Sequence, residues 1–363
     1  MCVVNREKTR LEGYPIRKNL IITYSRISLI TLTLILGLSN QPASTRNVPF
    51  QGKDHIYPLR DRGIGSKTID TTTNTDNSAK KKLTEYIDHS HIDINNDSAF
   101  SRYHFPGYGN ITHPYLIANY NITTNTQNAI NIRHTTMYFC IQNNLINGID
   151  REVYGIYFNN VTHGTISDNI IQHCSGPIVF SDSYNNVISG NTISNNSAGI
   201  WLDSSRNNII SENFISNNLH NGIRLFSSCN ANIISRNTIS NNLLFSIWLE
   251  SSCNDNTISK NTIINNKNGI FLWLYCNNNT ISRNSISNPT GCGIALVISC
   301  NYNDISWNNV SDNSSGIFLD ESWNNTISRN TISNNLRIGI FLWYSSNNNT
   351  ISGNTIFGNK LYR

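Results

Sequence analysis

Charge is scarce in this chain: only 13% of its 363 residues are Asp, Glu, Lys or Arg, while 38% are hydrophobic. That balance excludes a disordered polyelectrolyte. Good helix formers are also few, with two Met and little Ala or Glu, which argues against a helical protein. The length would allow two domains, but the composition is too uneven for two ordinary globular cores. Asn, Ser, Thr and Ile dominate what remains.

The formal charge of +5 comes largely from the first hundred residues, among them Arg6, Lys8, Arg10, Arg17, Lys18, Arg26 and the run Lys80, Lys81, Lys82. Further along, Lys and Arg read as isolated, so no nucleic-acid footprint is expected. The apolar stretch Leu20 to Leu38, broken by Arg26 and preceded by Arg17 and Lys18, reads as an export signal or an uncleaved membrane anchor. Three regions are therefore expected. Residues 1–40 form the export or anchor segment, 41–100 a polar linker or extension, and 101–363 the folded part. The expected location is extracellular or at the cell surface.

The folded part repeats. Asn-x-Ile, with Val replacing Ile after Asn308, recurs at Asn144, Asn169, Asn191, Asn213, Asn237, Asn261, Asn284, Asn308, Asn330 and Asn354. The spacings are 25, 22, 22, 24, 24, 23, 24, 22 and 24 residues. A period in this range marks a solenoid, whose units bury an apolar face only by stacking. Each coil holds three short alternating patterns, one around 256–259, one around 261–264 and a Gly-Ile-x-Leu segment around 269–272. The expected fold is all-β, a right-handed parallel β-helix of about ten coils with three strands each. Ile193, Ile215, Ile239, Ile263, Ile286, Val310, Ile332 and Ile356 form one interior column. Asn pairs such as Asn195 with Asn196 and Asn217 with Asn218 fall at turns, where Asn accepts left-handed backbone and its amide reaches the next rung. The leucine-rich repeat frame and its helical return arm are missing.

On these repeats and on the lead-in from Gly107 to Ile122, the stretch from Phe105 to Arg363 resembles the NosD-like parallel β-helix proteins, including carbohydrate-binding and sugar-hydrolase-associated β-helices. The resemblance implies the fold, and the family name carries a periplasmic copper-binding label. Copper sites in exported proteins draw on Met and His, whereas the nine His here are scattered, so neither a metal nor a cofactor is expected.

Aligning the coils on Gly-Ile-x-Leu places Cys229, Cys253, Cys276 and Cys300 in one column. Rungs lie about 4.8 Å apart, so the outer thiols would be roughly 14 Å distant, too far to share one tetrahedral ion. A buried thiol stack is expected, with a disulfide between neighbouring rungs as the alternative.

Two outward columns on the same sheet are unexpectedly aromatic. They contain Trp201, Trp248, Phe271, Phe318 and Phe341 in one, and Asp203, Glu250, Trp273, Asp320 and Trp343 in the other. Half-exposed, these rings would show roughly 500–900 Å² of apolar surface. A monomer's largest patch is typically about 300–600 Å². These ten residues are the candidates for binding a polysaccharide or glycoconjugate, because rings stack on sugar C–H faces and carboxylates accept hydroxyl hydrogen bonds. The competing expectation is a structural or interaction module, in which the N-terminal segment, a second copy or another protein subunit covers this face, or the rings simply pack across rungs and stiffen the sheet.

Catalysis is not expected. Asp203, Glu250 and Asp320 are two and then three coils apart, about 9.5 and 14 Å, which is too wide for a retaining glycosidase pair. The catalytic clusters of polygalacturonases and pectate lyases are also missing, which leaves hydrolase or lyase activity the weaker alternative. Hydroxyl rows such as Thr192 with Ser194 and Thr238 with Ser240 resemble ice-binding arrays but are broken by Phe214, Ile264 and Phe357. No capping helix or polar rung follows the last coil, so it is expected to be a fragment end or to meet a stacking partner.

Overall fold

The computed structural model describes residues 86–149, 151–287 and 290–360. The apolar stretch 20–38 and the polar residues up to 85 lie outside the described residues. Among the described residues, no helix is long and apolar enough to cross a membrane.

The strands form three parallel sheets of 12, 11 and 11 strands, and each strand pairs with its equivalents one coil before and after. A coil runs through sheet A (Thr192–Ser194), sheet B (Ile200–Asp203) and sheet C (Ile209–Ser211) before returning to sheet A. Register is strict. Ile193 pairs with Ile171 on one side and Ile215 on the other. Alternation then sends the Ile of every Thr-Ile-Ser inward, so Ile193, Ile215, Ile239, Ile263, Ile286, Val310 and Ile332 are all buried. Ile258, Ile281 and Ile305 do the same from sheet C, and Leu202, Leu225, Leu249 and Leu272 from sheet B. Each such side chain contributes about 1.5–3 kcal/mol by burial. In the last coil Ile356 remains 45% exposed.

The winding starts before residue 101. Ile87 pairs with Tyr120 in sheet A and Ile92 with Ile130 in sheet B. The 3₁₀ helix Asp97–Tyr103 then places Ala99 and Phe100 in the core, and Phe100 stacks on Tyr115 with ring centroids 4.7 Å apart.

All three corners of a coil are built on Asn ladders. The repeat marker forms one: Asn237 donates to Asn261 Oδ1 at 3.0 Å and accepts from the Asn213 amide at the same distance. Asn208, Asn232 and Asn256 form a second, and Asn196, Asn218 and Asn242 a third. The residue before each ladder Asn carries the positive φ that turns the chain, as Asn195, Asn217 and Asn241 do at the third corner. These buried amides satisfy backbone groups that the corners leave without ladder partners.

Cys229, Cys253, Cys276 and Cys300 form the expected interior column, buried and free. Each thiol donates to the carbonyl three residues earlier, as Cys229 does to Phe226 O at 3.2 Å. Ser continues the column at both ends. Ser205 N–H donates to Cys229 Sγ at 3.3 Å and Cys300 N–H to Ser322 Oγ at 3.3 Å.

Candidate functional site

The outward side of sheet B carries the ring columns in the expected register: Trp201 pairs with Arg224, Arg224 with Trp248, Trp248 with Phe271, and Ala295 with Phe318. Exposure differs from the expectation of half-open rings. Phe271 and Phe318 are buried, as are the carboxylates Glu250 and Asp320. The physical reason is mutual stacking. Rings on neighbouring rungs that lie diagonally, offset from their register partners, stack on one another, so they turn edges rather than faces outward. Phe245 and Phe271 stack at 4.7 Å with planes 17° apart, and Trp248 and Trp273 at 6.2 Å and 28°. With Ala295, Val297 and Phe341 they make a second apolar cluster outside the sheet. Phe318 tilts against Phe341, and Phe341 against Trp343, which is 45% exposed.

The first coils of this face are different. Arg224 fills the rung between Trp201 and Trp248, its guanidinium carbon 5.1 Å from one ring centroid and 4.7 Å from the other. It also lies 5.0 Å from the ring of Phe226. Its Nη2 donates to Glu250 Oε2 at 2.6 Å. Beside this stack opens a cleft of about 360 Å³, lined by Tyr154, Ser197, Trp201, His220, Arg224 and Trp248 among others. Three buried donors at the cleft have no hydrogen-bond partner: Trp201 Nε1, Trp248 Nε1 and Arg224 Nε. His220 Nδ1 is spent on Ser197 O at 2.9 Å. These donors are unsatisfied, and acceptor oxygens are the groups that would satisfy them.

Asp203 stands at the edge of the stack. Burial lifts its carboxyl above the ordinary value and Asp182 adds to the rise, while the hydrogen bond from Ser204 and the charge of Arg224 oppose it. Phe226 lies between Asp203 and Glu250 in register, and Trp273 and Val297 lie between Glu250 and Asp320. No two adjacent rungs of the column carry carboxylates. Of the ten candidates, the structure brings Trp201, Trp248 and Glu250 together around Arg224. It packs Phe271, Trp273, Phe318 and Phe341 into the apolar cluster and leaves Trp343 open.

A second arrangement escaped sequence reasoning. The Lys and Arg residues read as isolated are aligned by the fold: Arg236, Lys260, Arg283 and Arg329 occupy the same corner, between sheets C and A, and all are exposed. The signal was present, since each precedes a ladder Asn. Aligning the coils on Gly-Ile-x-Leu drew attention to the wrong side of the coil.

Three parallel sheets wound around one aliphatic core, with ring and carboxylate columns on one outer face, define a right-handed parallel β-helix repeat protein. Residues 63–244, 118–294 and 246–362 each match the family described as periplasmic copper-binding protein (NosD), and the chain belongs to that family. Among solved structures it is similar to the Azotobacter vinelandii mannuronan C-5 epimerase AlgE4 A-module. The identity is 14% and the TM-score 0.58, over 68% of this chain and 80% of that one. The AlgE6 A-module from the same organism matches at 15% identity and a TM-score of 0.52, over 67% and 83%. The periplasmic alginate epimerase AlgG matches at 14% and 0.51, over 74% and 85%. At these identities the likeness concerns the fold. No curated protein matches the chain by sequence.

The family description names copper, and the described residues do not fit it. Among them no three His, Cys, Asp or Glu side chains converge on an ion position. The clustered thiols are interior, and burial raises Cys229, Cys253 and Cys276 far above the ordinary thiol range, which keeps them protonated.

Proposed function

We propose that the chain is an exported β-helix that binds a polysaccharide or glycoconjugate without turning it over, through the outward face of sheet B around Trp201, Arg224 and Trp248. The observation that carries this reading is the set of three buried, unpartnered N–H donors beside stacked rings at one cleft. A sugar supplies ring, hydroxyl or carboxylate oxygens for such donors and apolar C–H faces for the indoles. Export agrees with the apolar stretch 20–38 and with the periplasmic description of the family. The non-catalytic part is supported by the spacing of Asp203, Glu250 and Asp320, none of which has a carboxylate on a neighbouring rung of its column, so no pair at the retaining distance forms there. In this reading residues 1–40 direct export, 41–100 form an extension whose last part already winds into the solenoid, and 101–363 carry the binding face, with Trp273, Phe318, Phe341 and Trp343 extending it.

Glycan-array binding by the protein and by a Trp201→Ala, Trp248→Ala, Trp343→Ala variant tests the reading. Loss of the array signal in a variant that keeps its melting temperature is the expected result, and equal binding by both proteins would overturn it. Reducing-sugar release from any polysaccharide that Asp203→Asn abolishes would overturn the non-catalytic part.

The apolar cluster around Phe245, Phe271 and Phe318 favours a second reading, a structural module whose sheet B face meets a second copy or another protein. Light scattering separates the two, because a dimer that the triple variant dissolves favours this second reading.

A further inference from the structure

The corner between sheets C and A holds a row of cations along the solenoid axis. Arg236, Lys260, Arg283, Trp307 and Arg329 follow one another in successive rungs. Each backbone N–H donates to a Ser carbonyl of the next coil: Arg236 to Ser259, Lys260 to Ser282, Arg283 to Ser306 and Trp307 to Ser328, at 3.1–3.2 Å. Neighbouring rungs are therefore about 4.8 Å apart. All five residues are exposed, and Arg329 lies over the Trp307 ring with its guanidinium carbon 5.3 Å from the centroid. The row is flanked by hydroxyls on both sides. Ser235, Ser259, Ser282, Ser306 and Ser328 precede it, and Thr238, Thr262, Ser285 and Thr331 follow on sheet A.

Turn chemistry does not explain these cations. Every one has a positive φ, between 55 and 59°, where Gly, Asn and Asp are the usual residues. The same corner in other coils holds Asp168, Gly190, Glu212 and Gly353. Like charges on adjacent rungs also repel. Local neutralisation is slight: Glu212 pairs with Arg236 at 3.7 Å, with both side chains exposed, and no other ion pair involves the row among the described residues. Asp304, which accepts from Ser306 Oγ at 3.1 Å, is the acid beside the Trp307 rung. Positive charge has thus been placed where the backbone disfavours it and, beyond the exposed Glu212–Arg236 contact, left without ion-pair partners among the described residues, on a straight line.

We propose that this row binds an anionic polysaccharide, a uronate chain, laid along the solenoid axis. One rung advances by close to the length of one extended pyranose residue, so carboxylates along the chain meet Arg236, Lys260, Arg283 and, past the Trp307 rung, Arg329, while the flanking Ser and Thr rows meet hydroxyls. Trp307 offers one ring face for stacking. A nucleic-acid strand fits less well, since single-strand binding relies on a succession of aromatic platforms and the row has one. The inference rests on the glycan reading above but not on the sheet B cleft, and it gives that reading a ligand class and a second site.

The test compares binding of sodium polygalacturonate, uncharged dextran and a thymidine homopolymer. The proteins are the unsubstituted chain, an Arg236→Gln, Lys260→Gln, Arg283→Gln, Arg329→Gln variant and a Trp201→Ala, Trp248→Ala variant. The changed cations are exposed, so the quadruple variant should melt like the parent. The expected result is polygalacturonate binding that weakens with salt in the parent, falls roughly tenfold or more in the quadruple variant and survives in the cleft variant. Equal polygalacturonate binding by the parent and quadruple variant would overturn the proposal, as would tighter binding of the homopolymer. If the quadruple variant keeps polygalacturonate while the cleft variant alone loses its array ligand, this proposal fails and the cleft reading stands. If no glycan of any kind binds the parent, both fail.

Discussion

Arg224 donates to Glu250 across 2.6 Å on the outside of the solenoid, one rung apart, with the guanidinium held between two indoles. Side-chain exposures of 26% and 11% put the pair between a surface ion pair and a buried one. Its energetics are asymmetric. Glu250 has little solvent to fall back on, whereas Arg224 retains contact with three rings.

Arg224→Met is therefore expected to cost about 1–3 kcal/mol, because it leaves the Glu250 charge partly desolvated and unpaired. The Arg224→Met, Glu250→Leu double variant should recover most of that loss. Urea midpoints at neutral pH check both values. A single variant as stable as the parent would mean that the pair is merely a surface contact.

Most of the solenoid is legible in the sequence, because period and alternation together determine register. The column from Ile193 to Ile356 and the Cys column are side chains that recur once per coil on the inward phase. Burial of outward residues is another matter. Outward phase alone leaves open whether Phe271 and Phe318 face solvent or pack across rungs; Phe271 stacks on Phe245 and Phe318 tilts against Phe341, and that depends on side-chain conformations that a repeat pattern does not specify. The cation row was missed for a different reason. Arg236, Lys260, Arg283 and Arg329 are 24, 23 and 46 residues apart, so they look solitary until the coils are stacked on the Asn that follows each of them.

The Asn ladders predict a second outcome. Asn237 Nδ2 donates to Ile210 O at 2.9 Å and to Asn261 Oδ1 at 3.0 Å, while its Oδ1 accepts the Asn213 backbone N–H at 3.0 Å. Asn237→Ala orphans groups on both neighbouring coils and should cost about 2–4 kcal/mol, more than one unmade hydrogen bond. Asn237→Asp should be at least as damaging at neutral pH, since it places a charge against carbonyls that need a donor. Asn354→Ala, on the last rung of the ladder, should cost less than either. Chemical denaturation of the three variants gives the order. An Asn237→Ala variant no weaker than Asn354→Ala would show that the ladder fills space rather than supplying polar satisfaction.

The buried thiols make stability depend on alkaline pH. Burial pushes Cys174 and Cys292 up to about 12 and raises Cys229, Cys253 and Cys276 well above the ordinary range. A thiol in the unfolded chain titrates near 8.5. The folded state therefore holds its thiol protons to higher pH than the unfolded state does, and each thiol's contribution is fully present below pH ~8.5 and lost as pH rises through the window above it. Per thiol the loss approaches about 1.4 kcal/mol for each pH unit. Urea midpoints should consequently fall steeply between roughly pH 9 and 11. A Cys229→Ala, Cys253→Ala, Cys276→Ala variant, less stable at neutral pH because of the cavities, should show a flatter decline over the same range. The slope is the diagnostic quantity, because packing defects lower stability at every pH while removal of ionisable groups changes only the pH dependence. Thiol reagents supply an independent check: below pH 8.5 these cysteines should label only at the rate of unfolding, since the reactive thiolate does not form while they are buried. Rapid labelling of the folded protein, or identical alkaline slopes for parent and variant, would mean that the column is open to solvent.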